Sequence, residues 1–313
     1  MVALGRVPAG FASRQVALVG RVPLTGSPAV CSVATRLFTL VMWLGGAVGS
    51  VAGLAGAREP TGVGVVSPPE RLRRMFDHVT ITVADRDASV PVYTAILATL
   101  GIEPTAFDEY GDFSIAPASK GRPATRGVHI GFRAPSRTAV DAFWQAGTNA
   151  GWRSDGEPGP RPQYVEGYYG GFLLDPDGNS IEAVHFKTMR ERGEIDHLWI
   201  RVADVPAATR FYELVAPHGG FRVAVTREGY ARFSGGPGRG SFSLLDNRAA
   251  TENFHLAFSG TAAQVDAFHR EAVAAGYRDH GAPGERPQYH PGYYAGFVLD
   301  PDGNNVEIVD HRR

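Results

Sequence analysis

One segment of this chain is written twice. Arg161-Pro162-Gln163-Tyr164, Gly167-Tyr168-Tyr169 and Asp175-Pro176-Asp177-Gly178-Asn179 return in the same order as Arg286-Pro287-Gln288-Tyr289, Gly292-Tyr293-Tyr294 and Asp300-Pro301-Asp302-Gly303-Asn304. A tandem duplication restricts the fold to two units of the same kind. Polar residues kept in both copies stand out against that background: His78, His129 and Glu182 in the first, His197, His255 and Glu307 in the second. Two histidines and one carboxylate, kept twice, suggest two metal sites.

Length agrees, since 313 residues at roughly 150 per domain make two globular units. A formal net charge of −1 gives no basic excess to attract nucleic acid. The single cysteine, Cys31, lies outside both copies, which excludes an intrachain disulfide and any thiolate ligand within them. Metal here has to be held by nitrogen and oxygen.

The first 74 residues match neither copy. From Met1 to Arg58 the chain carries arginines and no Asp or Glu, and an uncharged stretch runs from Leu37 to Ala57. At about 1.5 Å per helical residue this stretch is long enough for a bilayer core of about 30 Å, so a membrane anchor is one reading. Its glycines weaken a helix, and Ala55-Gly56-Ala57 looks like a signal cleavage site, which is a second. A third is that translation starts at Met75 and residues 1–74 are a start-site artefact. The expected location is cytoplasmic unless this segment is genuine, in which case the protein is membrane-anchored or exported, with membrane contact confined to 37–57.

Periodicity gives each copy two β-α-β-β-β cycles. The first opens with a strand at Phe76–Val83, where Val79, Ile81 and Val83 form an apolar row opposite His78, Thr80 and Thr82. Asp85 or Asp87 caps a helix to about Thr99, and short strands follow near Glu103–Phe107 and Asp112–Ala116. The second cycle holds a strand at Val128–Arg133, a helix at Arg137–Ala150, a strand at Gly170–Leu174, a turn at Asp175–Asn179 and a closing strand at Ser180–Phe186. The second copy repeats the order: strand Ile195–Val202, helix from about Val205 to Val215, strand Phe254–Phe258, helix Ala262–Ala275 and closing strand Asn305–His311. Lys187–Gly193 is the linker, which places the domains at 75–187 and 194–313.

Strand side chains alternate, so a histidine opposite the aliphatic row faces solvent or a pocket. Two imidazoles and a carboxylate on three strands form a facial ligand set with open positions; it suits Fe(II) or Mn, with Zn or Ni acceptable. A lone strand histidine is ordinarily just a hydrogen-bonded polar residue, and the recurrence of all three residue types is what argues for metal.

With Phe76-Asp77-His78-Val79, Val128-His129-Ile130, Gly167-Tyr168-Tyr169-Gly170-Gly171-Phe172 and Leu174–Glu182 with its twin Leu299–Glu307, the chain resembles the vicinal oxygen chelate superfamily. That superfamily includes glyoxalase I, fosfomycin-resistance enzymes, bleomycin-binding proteins and extradiol dioxygenases. The resemblance implies an α+β fold of tandem glyoxalase-like domains, each two β-α-β-β-β cycles forming a curved mixed sheet around a metal site. It implies His78, His129 and Glu182 as one ligand set and His197, His255 and Glu307 as the other. Glyoxalase I typically adds a second carboxylate from the end of the first cycle; Asp112–Ala118 and Ser241–Leu245 offer only Asp112, which disfavours that reaction.

Other residues near the ligand strands have readable roles. Tyr168 and Tyr293 are candidates to orient a substrate or stabilise an oxyanion, with Tyr169 and Tyr294 beside them as substrate contacts, although all four also fit amphipathic packing. Arg161 and Arg286 are candidate clamps for a substrate carboxylate or phosphonate. His290 has Val165 as its counterpart in the other copy and is a candidate acid or base of the second site alone. The expected function is a metal-dependent enzyme acting on a small oxygenated, metal-chelating molecule, as a lyase, isomerase or extradiol-type dioxygenase, and the expected assembly is a monomer or homodimer. The alternative is a bleomycin-resistance-like binding protein without catalysis.

Overall fold

A computed structural model describes residues 74–105, 108–188 and 193–311. The expected anchor or signal lies outside these, as do 189–192 of the linker. Among the described residues no helix is long and apolar enough to cross a membrane.

Four cycles follow in chain order. The first comprises β1 (His78–Val83), α1 (Arg86–Ala98), β2 (Glu109–Tyr110) and β3 (Phe113–Pro117), and the second β4 (His129–Arg133), α2 (Arg137–Asn149), β5 (Arg153–Pro160), β6 (Tyr169–Leu174) and β7 (Ser180–His185). The third comprises β8 (Ile195–Arg201), α3 (Val205–Gly219), β9 (Arg222–Arg227), β10 (Tyr230–Ser234) and β11 (Ser241–Leu245), and the fourth β12 (His255–Ser259), α4 (Ala262–Ala274), β13 (Asp279–Glu285), β14 (Tyr293–Leu299) and β15 (Asn305–His311).

The helix starts lie where the sequence puts them, because a short polar side chain satisfies a free backbone N–H at each. Asp85 accepts from Ala88 N, Ser136 from Ala139 N and Asp204 from Ala207 N, while Thr261 and Gln264 form a reciprocal capping box. Helix α3 outruns its expected end near Val215. Pro217 sits in its last turn, and the helix stops only at Gly220, whose φ of 68° is the left-handed conformation that glycine adopts freely. No strand forms at 103–105, and the two-residue β2 lies just beyond.

The Asp175–Asn179 turn is structural. Asp175 Oδ1 accepts from Asn179 N at 2.8 Å, and its Oδ2 accepts from Asn179 Nδ2 and from the Tyr93 hydroxyl of α1. Asp177 takes the Ala84 N–H at the end of β1. Asp300, Asp302, Tyr212 and Ala203 repeat these bonds in the second copy. The turn thus ties the two cycles of one copy to each other.

The sheets do something else. Within each cycle the first strand runs parallel to the last, and the others follow antiparallel, which leaves the first strand's other edge open. Those four edges pair across the copies: β1 with β12 and β4 with β8, both antiparallel. One sheet therefore reads β13-β14-β15-β12-β1-β3-β2 and the other β5-β6-β7-β4-β8-β11-β10-β9. The α+β class and the tandem glyoxalase-like repeat stand. The expected pairing of two cycles of one copy in one sheet does not, because an open edge strand needs an edge partner and finds it in the other copy.

The apolar rows of these strands, Val79, Ile81 and Val83 on β1 and Leu198 and Ile200 on β8 among them, are buried with the inward faces of the helices in one core. The opposite rows carry the histidines.

Candidate metal centres

Because the sheets are shared, so are the ligand sets. His129 and Glu182 of the first copy meet His197 of the second, and His255 and Glu307 of the second meet His78 of the first. This corrects the grouping within copies: all six residues converge, but one histidine of each trio crosses over, carried by the strand that pairs across.

In the first centre His129 Nε2 lies 3.1 Å from Glu182 Oε2 and 3.2 Å from His197 Nε2, and His197 Nε2 lies 3.3 Å from the same carboxylate oxygen. In the second His255 Nε2 lies 3.0 Å from Glu307 Oε2 and 3.0 Å from His78 Nε2, with His78 3.5 Å from that oxygen. Ligands at right angles around one ion, with bonds of about 2.1 Å, stand about 3.0 Å apart, so both trios have the spacing of a facial set. Two imidazole nitrogens and an anionic oxygen, turned toward one point on a buried face, are a fitting donor set for a divalent ion.

The supporting residues hold the ligands in place. Tyr168 donates its hydroxyl to Glu182 Oε1 at 2.7 Å, and Tyr293 donates to Glu307 Oε1 at 2.6 Å, which leaves Oε2 turned to the histidines. Asp196 lies 3.1 Å from His197 Nδ1 and Asp77 3.0 Å from His78 Nδ1, each fixing a ring with Nε2 inward. His129 Nδ1 meets the Ser180 hydroxyl, which in turn donates to Asp155, whereas His255 Nδ1 meets the Asn305 amide.

The electrostatics separate the two histidines of a trio. Burial lowers His129 and His255 against the pull of their glutamates, which keeps each neutral with a lone pair to give. Burial opposes charge on His197 too, but the bonds to Asp196 and Glu182 outweigh it and hold the ring at about 9. Burial disfavours the charged form of Glu182, and the bonds from His129 and His197 overcome this, bringing the carboxyl down to about 2.

Of the other candidates, Tyr168 and Tyr293 reach the centres, but as carboxylate partners. Tyr169 and Tyr294 do not: they bond Asp141 of α2 and Asp266 of α4, because adjacent strand residues point to opposite faces. Arg161 stacks on Phe172 at 5.6 Å and lines a cavity of about 210 Å³ beside His129. Arg286 stacks on Phe297 and bonds the Ala282 and Glu285 carbonyls, and it is absent from the walls of the larger cleft, about 1940 Å³, beside His78 and His255.

His290 is on that cleft. Its Nε2 lies 2.9 Å from His311 Nδ1, and His311 Nε2 lies 3.0 Å from Asp77, so hydrogen bonds run from His290 to His78. In the first centre Val165 and Phe186 take these places, and Phe186 stacks on Tyr168.

Among the described residues neither ligand group includes a second carboxylate, although Glu109 of β2 lines the cleft beside His78. Asp112 is spent on the backbone N–H groups of Glu194 and Ile195. The strand ends facing the centres present Ser114, bonded to Thr80, and Ser243, bonded to Tyr230. Sequence reading missed Trp199 and Arg201, which line the 210 Å³ cavity with His129. The signal was available, since both sit on the same alternating row as His197.

Residues 75–183 and 194–308 each match the family model described as the glyoxalase/bleomycin resistance protein/dioxygenase superfamily. Glyoxalase I from Zea mays is similar in structure, with a TM-score of 0.54 at 17% identity over 75% of this chain and 92% of that one. A putative dioxygenase from Bacillus subtilis gives a TM-score of 0.52 at 14% identity, covering 76% of this chain and 85% of its own. A glyoxalase/bleomycin resistance protein from Albidiferax ferrireducens is 38% identical over 36% of this chain and 99% of its own, with a TM-score of 0.33. No curated protein matches the chain.

Proposed function

The chain belongs to the glyoxalase/bleomycin resistance protein/dioxygenase superfamily, and on that premise we propose that it is a metal-dependent enzyme acting on a small oxygenated substrate that chelates the metal. The observation that carries this reading is the convergence of three ligand atoms, from both copies, at each of two buried points. A divalent ion, Fe(II) or Mn before Zn or Ni, would be held by His129, Glu182 and His197 in one centre and by His78, His255 and Glu307 in the other, and would supply Lewis acidity to a substrate oxygen.

The chain's own residues do the rest. Asp77 and Asp196 hold the crossing histidines, Tyr168 and Tyr293 hold the glutamates, and Phe172 and Phe297 wall the rings of His129 and His255. At the second centre we assign proton transfer to His290, which ends a hydrogen-bonded chain on the cleft wall. A ligand group of two histidines and one carboxylate in each described centre weighs for a lyase or dioxygen reaction over that of glyoxalase I. A binder without metal would have to keep Glu182 and Glu307 buried, each beside two imidazoles, to no purpose.

The test is metal analysis of purified protein, followed by anaerobic reconstitution and a screen of catechols, α-keto aldehydes and fosfomycin. The expected result is two equivalents of a transition metal per chain and turnover of one class. Protein that takes up no stoichiometric metal on reconstitution would overturn the reading in favour of a binder.

A further inference from the structure

The repeat loses its symmetry along one row of one strand. On β8 the side chains after His197 are Trp199 and Arg201; on β1 the corresponding places after His78 hold Thr80 and Thr82. Thr82 is satisfied, its hydroxyl donating to Pro123 O at 2.6 Å. Arg201 is only 7% exposed, and among the described residues neither its Nε nor its Nη1 has a hydrogen-bond partner.

A guanidinium cannot shed its charge, and leaving its N–H groups buried and unpaired is costly. Stacking on Trp199, with the guanidinium carbon 5.7 Å from the ring centre, stabilises the cation but uses none of those N–H groups. Arg201 also lines a cavity of about 210 Å³, together with Trp199, Phe172, Tyr164, Arg161 and Arg248, that reaches His129 of the first centre. Asp155 also lines it, but its Oδ2 already accepts the Ser180 hydroxyl. Arg161 spends both terminal nitrogens on the Glu157 and Pro160 carbonyls. A void of about 150 Å³ holds one benzene ring, so this one has room for a single ring bearing a small acidic group.

We propose that the first centre takes a small planar carboxylic acid, its carboxylate paired with Arg201 and its flat body lying among Trp199, Phe172 and Tyr164, with its far end toward His129. The substrate class rests on reading that centre as the metal site, but the carboxylate pocket itself needs no metal. The second centre, with threonines in place of Trp199 and Arg201, takes no such acid there.

The experiment is calorimetric titration of the full chain, stripped of metal by chelation, with benzoate, benzamide and phenylphosphonate at one ionic strength. The expected result is one benzoate per chain, with benzamide at least tenfold weaker. Arg201→Gln should weaken benzoate at least tenfold while circular dichroism stays native, Arg201→Lys should lose less, and Thr82→Ala should change nothing. Equal binding of benzoate and benzamide, no benzoate binding at all, or native affinity in Arg201→Gln would overturn the proposal. Tight phenylphosphonate with weak benzoate would overturn the carboxylate assignment. If Arg201→Gln fails to fold, Arg201→Lys decides, since unchanged benzoate affinity would overturn a paired geometry that depends on the planar fork. Metal content, measured separately after reloading, keeps the two readings apart: benzoate binding by a protein that takes no metal would sink the metal centre and leave this pocket standing.

Discussion

His197 Nε2 lies 3.3 Å from Glu182 Oε2, and the two residues belong to different copies of the repeat. The same crossing brings His78 to Glu307. A first prediction separates this arrangement from one confined within copies. Alanine at His197 or at Glu182 should each remove about one metal equivalent, and the double substitution no more than one, since both dismantle the same centre. Combining His197→Ala with Glu307→Ala should remove both. Mass-spectrometric metal counts on purified variants decide it: if His197→Ala and Glu307→Ala together cost only one equivalent, the grouping across copies is wrong.

A second prediction concerns the linker. Each sheet takes strands from both copies, joined by the β1–β12 and β4–β8 ladders. A protease site introduced at 189–192 should therefore yield two fragments that stay together through native size-exclusion chromatography and keep both metal ions. Fragments that separate without denaturant would show that the shared sheets are not what holds the copies together.

Why the crossing was not legible in the sequence follows from the repeat itself. Alternation shows that His78 and His197 face away from the aliphatic rows, but it does not say which strand lies alongside. The two histidines occupy the same place in their copies, so exchanging them leaves every residue type and every face unchanged. What local chemistry decides was readable: the aspartate cap before α1, the start of α4 at Ala262, the closing strand Asn305–His311, and the turn at Asp175–Asn179. Tyr169 was misplaced because it sits in a conspicuous pair with Tyr168, although neighbours on a strand cannot share a face. Arg201 was overlooked because a lone arginine at a strand end has no repeat partner to draw attention to it.

A third prediction tests the phenols as positioning groups. Tyr168→Phe removes a hydrogen bond to Glu182 Oε1 and leaves a buried charged oxygen short of a donor, a loss of about 1.5–3 kcal/mol for a bond to a charged group. Metal affinity at the first centre should fall by about 10- to 100-fold, with the second unchanged. Tyr293→Phe should do the converse. Competition with a chelator of known affinity measures both. Loss of turnover with metal affinity intact at the altered centre would instead make the phenol a group that acts on substrate.

The last prediction comes from the backbone beneath His197. Gly131 of β4 lies opposite His197 of β8 in the ladder, and the register shifts immediately after it. A Cβ at Gly131 would collide with the ring at Cε1 and stand 2.7 Å from Nδ1. The ring cannot easily yield, because Nδ1 is held by Asp196 and Nε2 meets His129 and Glu182. At the second centre the equivalent place is Ala257, opposite His78 in a ladder with no shift, so a methyl group is accommodated there by a different local course of the strand. Gly131→Ala should therefore displace His197 and lower metal affinity at the first centre at least tenfold, leaving the second as it was. Global stability should fall as well, by about 1–3 kcal/mol, the usual cost of forcing extra volume into a packed site. Chelator competition and a denaturant melt on the same sample separate the effects. Two full metal equivalents bound with native affinity would mean that the His197 ring has free room, and that the close approach of β4 and β8 does not set the geometry of the first centre.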